Sequence, residues 1–489
     1  MDVFDPVMLS RLQFGFVVSF HIIFPAFTIG LAAWLATLEG MRLATGQVIY
    51  RQVFDFWQKV FAVSFGMGVV TGIVMAFQLG TNWGVLSEKT GSIQGPLLGY
   101  EAFTAFLLEA SFFGVMLLGR DRVSPRFYFF ACCMVALGTM FSSFWILANN
   151  SWMQVPVGHE IVDGRIVPSD WKQIVFGPVM MVRWPHMLLG AFLTSAMCIA
   201  ATGAWYLLRN VHLQTGRLML RWGLALVAVL IPLQMYVGHL TGLYVLEHQP
   251  AKFAALEARW QTEQPASEVL LAWPDEATQT NLFAITVPKL GSFIASGNWT
   301  AQEIGLDTFA PEDRPPVVIP FFGFRIMVGM GLIMLALSWG GVLLRLRGRD
   351  VAARWFLWPV FLAFPTGFIA ILAGWYTAEV GRQPWVVYGL LRTSDAVTPS
   401  LTTGDVATSL VAYVAVYLLF VSFGIYYIYK LLRDGPSDTD SALPNATASR
   451  PLAFADDAAT ATGVLAREVP PAAFARFGFA VLFGQGRCL

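Results

Sequence analysis

The 489-residue chain is 56% hydrophobic and carries only 13% charged residues, with 31 basic side chains balancing 31 acidic ones. A soluble domain carries about a quarter charged residues, so a soluble reading is excluded for most of the length. The apolar excess excludes disorder for most of the length as well, and zero net charge removes the basic surface that nucleic-acid binding needs. What remains is an all-α polytopic membrane protein.

A bilayer core takes about 20 apolar residues per helix. In chain order, nine segments reach that length: 13–36, 60–79, 97–118, 127–148, 184–208, 222–246, 321–344, 355–378 and 408–429. The first has no basic n-region and no small-residue cleavage site, so it reads as a retained helix. The connections 37–59, 119–126, 209–221, 345–354 and the exit at 430–433 hold 15 Lys and Arg in 58 positions. The opposite set (1–12, 80–96, 149–183 and 380–407) holds 7 in 92. By the positive-inside rule the first set is cytoplasmic. The N-terminus is then outside, the C-terminus is cytoplasmic, and the long connection 247–320 faces outside. This divides the chain into six helices over 1–246, an external loop over 247–320, three helices over 321–433 and a disordered cytoplasmic tail over 434–489, rich in Ala, Ser, Asp, Thr and Pro. The loop opens with QPAKFAALEARW, where Phe253, Leu256 and Trp260 alternate with polar Lys252, Glu257 and Arg259 as in an amphipathic surface helix.

Ionisable groups at membrane depth are functional candidates because burial there costs several kcal/mol. They are His21, Glu101, Glu109, His186, His239 and Arg325, with Glu379 ending its span. His21 lies about 12 Å into a helix entering from outside. His186, Arg325 and Met327 lie in the first turns of helices that also enter from outside, and Glu379 ends a helix that exits there. The chemistry therefore gathers in the outer half. Histidines and a methionine in an apolar bundle suit haem, a His/Met pair giving a low-spin, six-coordinate iron; Arg325 is placed to offset propionate charge. His239 can also snorkel to the interface. Glu101 and Glu109, eight residues apart on one helix, lie within about 80° of each other and, with Thr104 between them, suit a proton relay. A cofactor-free proton-coupled transporter, or a haem-carrying anchor that only passes electrons, are the rival readings of the same residues. The four cysteines (Cys132, Cys133, Cys198, Cys488) read as small hydrophobes, without metal or disulfide spacing.

From residue 1 to about 433 the chain resembles subunit I of the cytochrome bd-type quinol oxidases. The resemblance rests on SRLQFGF before His21, GVVTGIVMAFQLGTNW (68–83), YEAFTAFLLEAS (100–111), WMQVPVG (152–158), RWPH ending at His186, QPAKFAALE (249–257), FRIMVG (324–329) and GWYTAEVGRQPW (374–385). The short external loop is similar to the branch that includes the cyanide-insensitive oxidases. The resemblance implies that His186 and Met327 are axial ligands of a low-spin haem b. It implies that His21 and Glu379 serve two high-spin haems, one of b-type and a third of d- or b-type, and that Trp375 and Arg382 lie beside them. Lys252 and Glu257 are implied in quinol oxidation, and Glu101, Glu109 and Ser142 in proton transfer. It further implies a bacterial inner-membrane enzyme that oxidises quinol at the outer face and reduces dioxygen to water with cytoplasmic protons, electrogenic without pumping. The partners it implies are a subunit II in a heterodimer and, in some members, a small single-helix accessory subunit.

Overall fold

The structure is a computed structural model and describes residues 5–436, which form one compact unit. The expected tail lies outside the described residues from 437 onward. Among the described residues nine helical segments are long and apolar enough to cross a membrane, one for each predicted span. They are α1 (Pro6–Thr45), α2 (Val48–Thr81), α3 (Gly84–Tyr100) continuing through a π-helical stretch into α4 (Leu107–Leu118), and α5 (Pro125–Gln154). After the short α6 (Trp171–Val175) come α7 (Met180–Leu208) and α8 (Leu213–His248); α9 (Pro250–Leu256) and α10 (Leu290–Ser296) belong to the long connection. The last three spans are α11 (Val318–Leu346), the broken pair α12 (Arg354–Leu362) and α13 (Thr366–Val380), and α14 (Thr403–Asp434). Strands among the described residues are confined to three two-stranded hairpins in the connections: β1 (His159–Val162) with β2 (Arg165–Pro168), β3 (Glu268–Asp275) with β4 (Thr280–Val287), and β5 (Trp385–Val387) with β6 (Leu391–Arg392).

Local sequence explains where the helices start and stop. The Asp5 carboxylate accepts from Met8 N with Pro6 at the first helical position, and Gly46 ends α1 in the left-handed conformation. Ser124 before Pro125 does the same for α5, and Thr402 with Asp405 forms a capping box on α14. Pro365 has no amide proton to continue a helix, and the chain breaks between α12 and α13 there.

Two expectations are corrected. Glu101–Phe106 is a π-helical segment within the third span, so the regular α spacing between Glu101 and Glu109 does not hold; the widened turn is gripped from α5, where Trp145 Nε1 donates to Thr104 Oγ1 at 2.9 Å and Ser142 Oγ donates to Glu101 Oε1 at 2.7 Å. The amphipathic surface helix is a seven-residue helix, α9, buried on its polar side as well: Lys252, Phe253 and Leu256 are all buried, as are Glu257 and Arg259 just beyond. From the rest of the connection, Val269, Ala272, Leu306 and Val317 pack with its residues into a local core.

Helices approach closely where residues are small, as helix packing in membranes requires. A side chain added at Gly203 of α7 would lie 2.6 Å from Gly216 O and Leu220 N of α8; one at Gly223 would lie 2.7 Å from Ala196 O of α7. At the predicted cytoplasmic end, buried Glu39 accepts from Arg42 (2.7 Å) and Arg120 (3.0 Å), and the Arg120 guanidinium stacks 4.5 Å from both the Phe54 and Tyr128 rings. This clamp joins α1 to the α4–α5 turn with every charge partnered.

Gly203→Val should force α7 and α8 apart and cost about 1–3 kcal/mol, the usual range for overpacking. A thermal unfolding midpoint of the purified protein equal to wild type would show that the α7–α8 contact yields without strain.

Candidate functional site

One end of the bundle, that carrying the 249–317 connection, holds a continuous buried polar network. Glu379, in the last turn of α13, accepts from Asn150 Nδ2 at 2.9 Å and Gln154 Nε2 at 3.1 Å, both from the end of α5, and from the Arg382 guanidinium one turn on. Arg183 at the start of α7 donates to Asn150 Oδ1 (2.6 Å) and Ser151 Oγ (3.1 Å). Lys252 Nζ donates to Gln154 Oε1 at 2.5 Å and to Gln249 Oε1, while Gln249 Nε2 donates to Gln154 O at 2.9 Å. Gln154 thus touches Lys252 with one end of its amide and Glu379 with the other. Burial, with Arg183 and Arg382 nearby, pushes the Lys252 amine well below the usual lysine value, Glu379 opposing. A buried amine held on two amide oxygens can take up and return a proton without losing its position.

Lys252 and Glu257 leave α9 into different networks. The Glu257 carboxylate pairs with Arg325 Nη2 at 3.1 Å, and Glu268 of β3 lies 3.7 Å from the same nitrogen. Burial and the adjoining Glu257 carboxylate push Glu268 up to about 8, against the pull of Arg325. Arg325 also donates to Leu256 O at 2.7 Å and to Val269 O, and its guanidinium lies 3.6 Å from the Phe321 ring centroid. The structure therefore turns Arg325 toward the connection, where it ties α11 to α9 and β3.

The isolated ligand candidates share a device. The ring of His21 on α1 lies against α2 at Gly72, where an added Cβ would meet its Cε1 at 3.1 Å; His186 on α7 lies against Gly238 of α8, where an added Cβ would also meet its Cε1 at 3.1 Å; and Met327 on α11 lies against Gly374 of α13, where an added Cβ would lie 2.8 Å from Sδ. The Thr71 hydroxyl is 2.9 Å from both Met67 O and His21 Nδ1. With its proton on the carbonyl, Thr71 accepts from Nδ1–H, which leaves the lone pair on His21 Nε2. α7 packs on α8 and α13, and α11 packs on the same two helices. His186 and Met327 therefore come from two helices that share both neighbours. Buried His186 Nδ1 and Arg382 Nε and Nη1 have no protein hydrogen-bond partner, polar atoms of the kind a haem ligand sphere and a propionate would engage. Among the described residues no three His, Cys, Asp or Glu side chains converge on a bare metal ion. Separate imidazole and thioether donors beside glycines fit iron held in a flat macrocycle.

Glu101 and Ser142 are joined directly, and buried Glu109 packs on α5 at Gly138, where an added Cβ would lie 2.5 Å from its Cγ. Trp375 sits edge-on to Tyr376, whose hydroxyl is 2.8 Å from Ser19 Oγ of α1. Sequence reasoning did not single out Gln154, although it lies in the WMQVPVG stretch; a glutamine beside an apolar span was the available signal. It also passed over Glu268, which nothing short of the hairpin's placement brings to Glu257.

A sequence model described as cytochrome bd terminal oxidase subunit I matches residues 9–436. The cytochrome bd-II ubiquinol oxidase subunit 1 of Escherichia coli (strain K12) is 34% identical, over 90% of this chain and 99% of that one. The cytochrome bd ubiquinol oxidase subunit 1 of Bacillus subtilis (strain 168) is 32% identical, over 88% of this chain and 94% of that one. Among solved structures, the bd oxidase from Geobacillus thermodenitrificans superposes with a TM-score of 0.83 at 29% identity, covering 89% of this chain and all of that one.

The raised Glu268 has a stability signature. Between its ordinary value of 4.5 and about 8 the folded chain binds the proton and the unfolded chain does not, so this group's contribution is present below 4.5 and is lost as pH rises through about 8. Thermal midpoints taken from pH 5 to pH 9 should fall less steeply in Glu268→Gln than in wild type. Parallel profiles would mean that Glu268 titrates normally.

Proposed function

The chain belongs to the cytochrome bd terminal oxidase subunit I family, and from that premise we propose that it is the haem-carrying subunit of a quinol:dioxygen oxidoreductase in a bacterial inner membrane, working with a subunit II. Two quinols would be oxidised for each dioxygen reduced to two waters. The observation that supports this most directly is the placing of His186 and Met327 on α7 and α11, each against a glycine of a helix that both pack on. These two would hold a low-spin haem b. His21, with its lone pair on Nε2, and Glu379, within reach of Arg382, would serve the two high-spin haems, the third being of d- or b-type. Haem supplies one-electron transfer and, where an iron position is left open, dioxygen binding.

The chain's own residues account for the proton traffic. With the N-terminus outside, the Lys252 and Glu257 networks face the outer side. There a quinol headgroup would hydrogen-bond to groups that accept its protons, the amine of Lys252 and the carboxylate of Glu257. Gln154 would keep Lys252 in register with Glu379, fixing the distance between the quinol site and the haem region. Protons for water would come from the cytoplasm past Glu109 and on to Glu101 and Ser142, which already share a hydrogen bond. Release on one side and uptake from the other make the reaction electrogenic without a pump. A cofactor-free transporter would leave three glycine-cradled donors on three helices with no purpose.

Met327→Leu should convert the low-spin haem to high spin, read as loss of the low-spin band in the dithionite-reduced minus oxidised spectrum and a new carbon monoxide response. An unchanged spectrum would remove Met327 as a ligand. Glu109→Gln should lower oxygen consumption at least tenfold, the lower range for a lost acid–base group being about a hundredfold, with haem content intact; wild-type turnover would sink the relay role.

A further inference from the structure

The β3–β4 hairpin presents an apolar face beside the first turns of α11, a helix long and apolar enough to cross a membrane. α11 has 29 residues, about 43 Å at 1.5 Å per residue, which matches the 40–45 Å of a bilayer with its headgroup layers. The hairpin is pinned along the first part of that helix at two levels. At its tip, Glu276 Oε1 accepts from Val317 N (2.7 Å) and Val318 N (3.2 Å), at the helix start. At its base, Val269 O and Leu270 O accept from Arg325 Nε at 3.0 and 3.2 Å, about 10 Å further down the helix axis. Between these levels Trp273 packs on Phe322, ring centroids 5.6 Å apart.

The two faces of the hairpin differ. Val269 and Ala272 turn into the core of the connection, and Asn281 turns inward to bond with Trp260 and Ala258. Leu270, Leu271, Trp273, Leu282, Phe283 and Ile285 turn outward and are exposed, Phe283 to 91%. No charged residue occurs in 269–274 or 280–287; the nearest acids are Asp275 and Glu276 at the tip and the inward-facing Glu268. So many large apolar groups in one patch mark an interaction surface, and β3 packs on α11, whose own Ile319, Ile326 and Val328 are exposed.

We infer that the β3–β4 hairpin lies in the interfacial layer of the membrane, its outward face in contact with lipid. The unpaired outer edge of β4 limits the depth: in the hydrocarbon core its backbone groups would find no partners, whereas the headgroup layer hydrates them, and an indole such as that of Trp273 is at home there. Strand β3 then stands between lipid on one side and the Glu257–Arg325–Glu268 cluster on the other. This inference depends on the chain spanning a bilayer and is independent of the quinol chemistry.

The test is site-directed spin labelling of the whole oxidase complex in lipid nanodiscs, at Phe283→Cys, Ile285→Cys and, on the tip, Ala277→Cys, with the wild type measuring the background from native cysteines. Positions 283 and 285 should be relaxed more by oxygen, which partitions into lipid, than by a water-soluble nickel chelate, with a ratio several-fold above that at 277. A ratio at 283 and 285 equal to that at 277 would put the hairpin in water and overturn the inference. Exclusion of both agents at 283 and 285 would show a protein subunit covering the face, and would overturn it equally. Failure of one apolar-face variant leaves the other to decide against 277, and the neighbouring exposed tip position serves as reference in Thr278→Cys if Ala277→Cys does not assemble.

Discussion

Inside a bilayer no water is at hand to satisfy a polar group, so a carboxylate, guanidinium or amide that this bundle buries needs a partner from the protein or from a bound group. The arrangement of the chain at the predicted outer end follows from that requirement. Glu379 could not end α13 in an apolar surround by itself; Asn150 and Gln154 from α5 and Arg382 from the next turn supply three donors to it. Lys252 could not be buried unless two amide oxygens received its ammonium or amine protons. The network draws α5, α7, α9 and α13 together and fixes how the long connection sits on the helices.

Arg325 plays the corresponding part for the rest of that connection. Its guanidinium is shared among Glu257, Glu268 and the carbonyls of α9 and β3, so that one side chain from a spanning helix organises two loop elements. A guanidinium suits this because its planar fork donates in several directions at once. An arginine so placed has fewer donors left for other ligands, while Arg382, with two buried nitrogens free of protein partners, keeps that capacity.

Much of the site was legible because membrane burial makes polar residues conspicuous. His21, His186, Glu101, Glu109 and Glu379 stood out against apolar segments, and the motif stretches around them carried a family resemblance that the matched relatives bear out. The regular helix drawn through Glu101 and Glu109 was misleading, because a π turn arises from contacts with Trp145 and Ser142 of another helix and leaves no periodic trace. The amphipathic reading of 249–260 was misleading for a similar reason: the polar side of α9 faces buried partners, and a hydrophobicity pattern cannot tell a buried polar partner from water. Gln154 offered only a glutamine beside an apolar span, and Glu268 had no local signal at all.

By itself the sequence determined the number and approximate limits of the spans, since about 20 apolar residues between charged connections have few alternatives to a membrane helix. It also determined which side chains are costly enough at depth to need a purpose. Only the tertiary structure decided the pairings: Gln154 between Lys252 and Glu379, Arg325 with Glu257 and Glu268, and a glycine from a neighbouring helix beside each of His21, His186 and Met327. Partition into a bilayer is a sum over consecutive residues and can be read along the chain. A hydrogen bond needs two groups within about 3 Å, and these partners come from segments up to 225 residues apart.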